Sequence, residues 1–334
     1  MIPEFFMSDF LGTPVWFWAS FIGIVIALLA FDLGVLHKED HEIGVAESLK
    51  LSAFYIAVAI AFGAWVWIER GAESGMLYYT GFVIEKTLAM DNIFVIAMIF
   101  SFLGIPRLYQ HRVLFWGILG VIVLRGIMIG VGAALVAEFS WILYIFAVFL
   151  IITGIKMLIV SGDDHSSGDF SNNPVLKFFK KHIRTTDTLH GHDFTVKLPD
   201  PKTGKLVTYF TPLFIALVMI EFADVIFAVD SVPAIFAITT DTFIIYTSNI
   251  FAILGLRALY FALAAMMARF VYLKYALSIL LIFIGSKIFV ADFLMDGAKF
   301  PPLLSLGITF GILATGMFYS LWKTRGTPIP PADK

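Results

Sequence analysis

Cysteine is absent from all 334 residues. That excludes disulfides, thiolate metal sites and cysteine nucleophiles together, and leaves the redox compartment open. Charge is scarce as well. Asp, Glu, Lys and Arg make up 14% of the chain, where a soluble domain carries about 25%. So little charge excludes an intrinsically disordered or nucleic-acid-binding chain. The balance of 23 basic against 25 acidic residues, net −2, implies no strongly acidic or basic partner. Lys and Arg are also missing before Lys38. A secretory signal opens with a positive region, so the first apolar stretch is expected to be a retained helix.

What is abundant is apolar surface. Hydrophobic residues are 60% of the chain and the mean hydropathy is +0.91, more than one core of this size can hide from water. The expected fold is an all-α polytopic membrane protein with the lipid bilayer as its main partner. A bilayer core takes about 20 apolar residues per helix. Nine stretches qualify: 15–36, 51–68, 77–102, 113–137, 141–160, 211–239, 243–268, 272–293 and 303–322. They are too long and too uniformly apolar for barrel strands.

An odd count puts the termini on opposite sides. Sixteen basic residues fall in the loops that would share one side, against Arg70 and Lys299 on the other. The positive-inside rule therefore places the N-terminus outside and the C-terminus in the cytoplasm. The segment 161–210 is then cytoplasmic, with a basic amphipathic helix expected at 174–184 and a hairpin from 193–198 and 206–210.

Five basic residues lie inside the spans, Lys86, Arg125, Lys156, Arg257 and Lys287, with seven acids: Asp32, Glu85, Asp91, Glu221, Asp224, Asp230 and Asp292. Each charge at a helix centre costs about 2.5–3.5 kcal/mol, so such residues face the bundle interior and are functional candidates by default. Asp32 and Asp292 stand near span ends. The other five acids crowd onto two helices that carry too few cations to pair them all, which leaves the cations as charge-balancing or coupling candidates.

Those two helices match. Glu85, Asp91 and Asn92 set against Asp224, Asp230 and Ser231: an acid, five residues, then Asp and a small polar residue. The next helix of each half carries Leu-Arg, ending at Arg125 and Arg257, and the next carries Gly-x-Lys, ending at Lys156 and Lys287. The offsets are 139, 132 and 131 residues, which is a duplication of three helices. Three is odd, so the copies enter the membrane from opposite sides, a transporter architecture whose site lies where the repeats meet at the midplane. The chain then divides into a two-helix segment (1–76), a first repeat (77–160), the cytoplasmic loop (161–210), an inverted repeat (211–295) and a C-terminal helix with its tail (296–334). Pro233 is expected to kink its helix and free backbone carbonyls beside the acids.

Carboxylates, an amide, a hydroxyl and carbonyls make an all-oxygen ligand set suited to hard divalent cations such as Mn²⁺, Mg²⁺ or Ca²⁺. All seven histidines fall outside the spans, so a zinc- or copper-type site there is not expected. Met90, Met98 and Met219 lie near the acids, and a thioether would bias the site towards Mn²⁺. Crowded carboxylates left empty at low dielectric invite protons when the cation leaves, so protons are the natural coupling ion.

Residues 85–92 (EKTLAMDN) and 221–235 (EFADVIFAVDSVPAI) resemble the TerC family of bacterial inner-membrane proteins, closest to its Alx-type members. So do 31–35 (FDLGV), 141–157 (WILYIFAVFLIITGIKM) and 248–260 (SNIFAILGLRALY), so the likeness covers nearly the whole chain. Alx-type proteins are regarded as manganese exporters within a grouping of cation and amino-acid exporters related to the LysE type. The resemblance implies Mn²⁺ export, with Mn²⁺ as transported substrate and no tightly bound cofactor, through Glu85, Asp91, Asn92, Glu221, Asp224, Asp230 and Ser231. The direction of transport comes from the resemblance alone. Other readings stay open: a different substrate (Ca²⁺, a tellurium oxyanion, a basic amino acid), an intramembrane metal-dependent enzyme, or a scaffold. The enzyme reading is weakened by the lack of a His-Glu-x-x-His or Gly-x-Ser-x-Gly motif.

Overall fold

The structure, a computed structural model, describes residues 7–34, 44–139, 141–159, 183–199, 204–264, 272–295 and 300–325. Within them it describes all side chains but those of 33, 34, 45, 90, 91, 94, 229, 230 and 264. A minimal hairpin, β1 (Asp9–Phe10) and β2 (Thr13–Pro14), leads into α1 (Val15–Gly34). Then come α2 (Val45–Phe102), α3 (Arg107–Glu138) and α4 (Ile142–Ile159). The hairpin of β3 (Thr195–Pro199) and β4 (Leu206–Phe210) precedes α5 (Pro212–Phe236), α6 (Thr242–Leu254), α7 (Leu256–Ala264), α8 (Leu273–Phe293) and α9 (Pro302–Lys323). That hairpin sits close to the expected one. Residues 174–182 of the expected amphipathic helix lie outside the described residues.

Helix α2 has 58 residues, about 87 Å if straight and far longer than a bilayer is thick. Gly71 resolves this: its φ of 88° and ψ of 170° break the helix, a conformation that suits glycine. Beyond the break the chain folds back. The Tyr78 hydroxyl donates to the Ala59 carbonyl at 3.0 Å and that of Tyr79 to Ile60 at 2.8 Å, residues that a straight helix would hold about 28 Å apart. Gly63 makes room, since a Cβ there would lie 2.6 Å from both tyrosine rings. The two stretches expected at 51–68 and 77–102 are the two arms of this one folded helix.

Among the described residues, seven helices are long and apolar enough to cross a membrane, or eight with α6 and α7 taken as one span bent by 42°. The nine separate stretches read from the sequence are therefore seven or eight by this measure, with α2 counted once. The bend falls at Gly255, not at Pro233. Helix α5 runs through Pro233 and ends one turn later, the Ala237 amide closing on the Pro233 carbonyl at 3.0 Å. Pro233 offers no amide to the Val229 carbonyl, yet the helix continues through it without the expected break.

The arms of α2 pack with α1 and α6 through an aromatic cluster that includes Phe17, Trp18, Phe21, Phe62, Phe243 and Phe251. A second cluster joins α2, α3, α5 and α7 through Ile93, Phe100, Val113, Leu213, Ile220 and Tyr260. Helices α4 and α8 touch backbone to backbone at Gly154 and Gly285. Large apolar side chains also point outward, Ile68, Leu303, Phe318 and Trp322 among them, the surface that lipid covers.

Candidate functional site

The buried charges gather around Arg125, on α3, which is 1% exposed. Its Nε and Nη2 grip Asp224 of α5 as a fork, Nε to Oδ2 at 3.1 Å and Nη2 to Oδ1 at 2.9 Å. Its Nη1 donates to Glu85 Oε1 of α2, to Ser231 Oγ at 2.8 Å and to Asn249 Oδ1 of α6 at 3.3 Å. Asn249 Nδ2 in turn donates to Glu85 Oε2 at 3.0 Å, and Asn92 Nδ2 to Asp224 Oδ1 at 3.3 Å. Only a guanidinium, with five donors in a fixed plane, can hold two carboxylates at once in this way. With both acids ionised, the set carries one uncompensated negative charge.

Four of the seven expected ligands thus meet at one point: Glu85, Asn92, Asp224 and Ser231, two from each of the matching motifs. Glu221 stands one turn before Asp224 but presses its carboxylate against Gly120 of α3. Its Oε2 is buried without a hydrogen-bond partner among the described residues. The backbone of Asp91 and Asp230 runs within α2 and α5, and their side chains lie outside the described set. Among the described residues no three acidic or histidine side chains are grouped to hold a metal ion.

The other cations are spread through the bundle. Lys86 Nζ donates to the Ala252 carbonyl at 3.0 Å, in the last turn of α6 where helix carbonyls lack amide partners. The lack of a side chain at Gly255 leaves it room, since a Cβ there would lie 2.9 Å from Nζ. Arg257 pairs with Asp32 of α1, to which Tyr55 adds a hydrogen bond, and lies over the Phe115 ring at 5.9 Å. Lys287 donates to Ser305 Oγ at 3.3 Å, tying α8 to α9. Lys156 is exposed in the last turn of α4. None of these four is a partner of Glu85 or Asp224 among the described residues, so Arg125 alone of the five expected cations balances the acids.

Asn249 escaped the sequence reading although it is fully buried and bridges Glu85 to Arg125. Its signal was a lone amide following two hydroxyl residues inside an apolar stretch, which fits a packed polar residue equally well. A cavity of about 30 Å³ adjoins the cluster, with Asn92, Asp224, Arg257 and Tyr260 in its otherwise apolar wall. Along α3 it runs from Val121, one turn before Arg125, down to Leu114, and it has room for a single water or small ion.

A bundle of outward-apolar helices around a buried ionic cluster defines a polytopic integral membrane protein. Residues 70–327 match the model of the integral membrane protein TerC family, and the chain belongs to that family. It is 46% identical over 317 residues to an uncharacterised membrane protein of Myxococcus xanthus, covering 95% of each chain. It is 49% identical to an uncharacterised membrane protein of Rickettsia felis, covering 91% of this chain and 97% of that one. It is 43% identical over 323 residues to the putative membrane-bound redox modulator Alx of Photorhabdus laumondii, covering 94% and 97%. No solved structure matches.

Proposed function

We propose that this protein is a secondary transporter that exports divalent metal cations, Mn²⁺ foremost, from the cytoplasm. The observation that carries the reading is the meeting of Glu85, Asn92, Asp224 and Ser231, from two matching motifs 139 residues apart, in one buried all-oxygen cluster. Oxygen ligands of this kind suit Mn²⁺, Mg²⁺ and Ca²⁺. Asp91, Asp230 and Glu221 complete the proposed ligand set, with protons taken up as the cation leaves. The choice of Mn²⁺ and the outward direction follow from the resemblance to Alx-type exporters.

In this reading the arms of α2 cross separately and α6 with α7 cross once, which makes nine crossings. Helices 77–160 and 211–295 form inverted repeats, the N-terminus lies outside, the C-terminus lies in the cytoplasm, and the membrane is the bacterial inner one. The reciprocal approach of Gly154 and Gly285, each at the same place in its repeat, supports the inversion.

The test is flux in proteoliposomes, comparing Mn²⁺, Mg²⁺ and Ca²⁺ with and without an imposed pH gradient. Mn²⁺ should move, faster with protons outside than without, and Asp91→Asn or Asp230→Asn should stop it while expression stays normal. Retained export in either variant overturns the shared site. A second reading follows from the relatives named redox modulators. This chain has no cysteine, so its own residues cannot carry out thiol–disulfide exchange. The absence of a hydrolase motif favours a transporter over an enzyme.

A further inference from the structure

Arg125 stands where the proposed cation has to go. Its guanidinium touches Glu85, Asp224 and Ser231, three of the seven proposed ligands. A divalent ion cannot share those oxygens with a fixed positive charge a few ångströms away at low dielectric. Resting on the exporter reading, we infer that Arg125 is a tethered counter-ion that fills the site when no metal is bound and competes with the metal for Glu85 and Asp224.

The empty site explains why such a residue is needed. Two carboxylates and no cation at this depth would be costly, and the fork on Asp224 with the arm on Glu85 neutralises half of that charge without a bound ion. The competition must also be breakable, and the local layout provides for it. The side chain of a helical residue leans towards the helix N-terminus, so Arg125 lies over the turn at Val121, where the small cavity begins. Asp224 and Asn92 line that cavity as well as holding the guanidinium or its partner. An ion arriving there meets Asp224 first and displaces one end of the guanidinium before the other. Asn92, Ser231 and Asn249 are neutral, and each can serve a cation or a carboxylate in turn, so the exchange leaves no ligand stranded.

Removing the competitor should tighten metal binding and impair turnover, a combination that a merely structural arginine would not produce. Mn²⁺ binding to purified protein in detergent is measured by titration calorimetry, beside Mn²⁺ flux in proteoliposomes. Arg125→Met is expected to bind Mn²⁺ at least about tenfold more tightly than the parent, because the metal now relieves two unpaired buried acids, and to release it too slowly for normal flux. Equal or weaker binding in folded Arg125→Met overturns the inference. Should that variant not fold, Arg125→Lys decides: a point charge reaches one carboxylate at a time, so tighter binding than the parent supports competition and unchanged or weaker binding rejects it. A parent protein that neither binds nor moves Mn²⁺, Mg²⁺ or Ca²⁺ defeats the exporter reading, and the inference with it. A parent that transports, with no tightening in either variant, defeats the inference alone.

Discussion

Gly154 of α4 and Gly285 of α8 each lie against the other's helix at the same place. A Cβ on Gly154 would come within 2.6 Å of the Ser278 carbonyl, and one on Gly285 within 2.6 Å of the Ala147 carbonyl. Ser278 precedes Gly285 by seven residues, and Ala147 precedes Gly154 by seven. The contact is therefore reciprocal, as it would be across a two-fold axis, and the two helices run antiparallel. Small residues are what let backbones approach this closely inside a membrane.

Because the opposing atoms are backbone, neither helix can step aside cheaply. Gly154→Ala and Gly285→Ala should each lower stability by about 1–3 kcal/mol, and by similar amounts. Thermal unfolding in detergent measures this. A large effect at one position and none at the other would show that the contact is not symmetric in energy.

The Glu221 carboxylate lies where a Cβ on Gly120 would stand. Gly120→Ala should push that flexible side chain aside at a cost of about 1 kcal/mol or less, and should reduce Mn²⁺ flux if Glu221 is a ligand. Adding Glu221→Ala should restore the stability and leave the flux low. Melting and proteoliposome flux on the same three proteins separate the two effects.

Asn249 bridges Glu85 and Arg125 with both ends of its amide. Asn249→Ala leaves Glu85 Oε2 without the amide that donates to it, at a cost of about 1–3 kcal/mol, while the two Nη1 hydrogens keep Glu85 Oε1 and Ser231 Oγ. Flux should fall along with the melting temperature.

The pair of Asp32 and Arg257 is separate from the site by its partners, with side chains 7% and 6% exposed. Breaking it by Asp32→Leu or Arg257→Met alone should cost about 3–5 kcal/mol, and the double substitution should recover much of that, because no lone charge then stays buried. A double-mutant cycle on thermal unfolding in detergent checks the coupling. Additive losses would mean that the two residues act independently.

Much of the bundle was legible as apolar stretches of helix length, and the acids stood out because charge is rare there. Which polar groups meet was not legible, since pairing depends on how helices rotate and stack. Arg125 and Arg257 follow the same Leu-Arg pattern in the two matching stretches of sequence, yet one holds Glu85 and Asp224 and the other holds Asp32, upstream of both. Proline is the stronger breaker on intrinsic preference, yet α5 passes through Pro233 and the bend falls at Gly255. There Lys86 Nζ and Tyr55 Cβ would lie 2.9 and 3.0 Å from a Cβ, so a side chain would need its neighbours to give way. Helix α2 likewise read as two stretches because the charged residues near Gly71 interrupt its apolar run. Gly126 of α3 accepts from the Tyr246 hydroxyl of α6 at 2.5 Å, and a Cβ on Gly130 would lie 3.0 Å from that oxygen.

The separations along the chain set an order of assembly. Arg125 and Glu85 are 40 residues apart, Arg125 and Asp224 are 99, and Glu85 and Asn249 are 164. In synthesis from the N-terminus, Arg125 is the first of Glu85's partners in this cluster to follow it into the chain. That early pair lets both charges remain in lipid while the second half is still being made. Asp224 and then Asn249 join an arginine already in place, so a chain halted before α6 holds its charges in check but has no finished site.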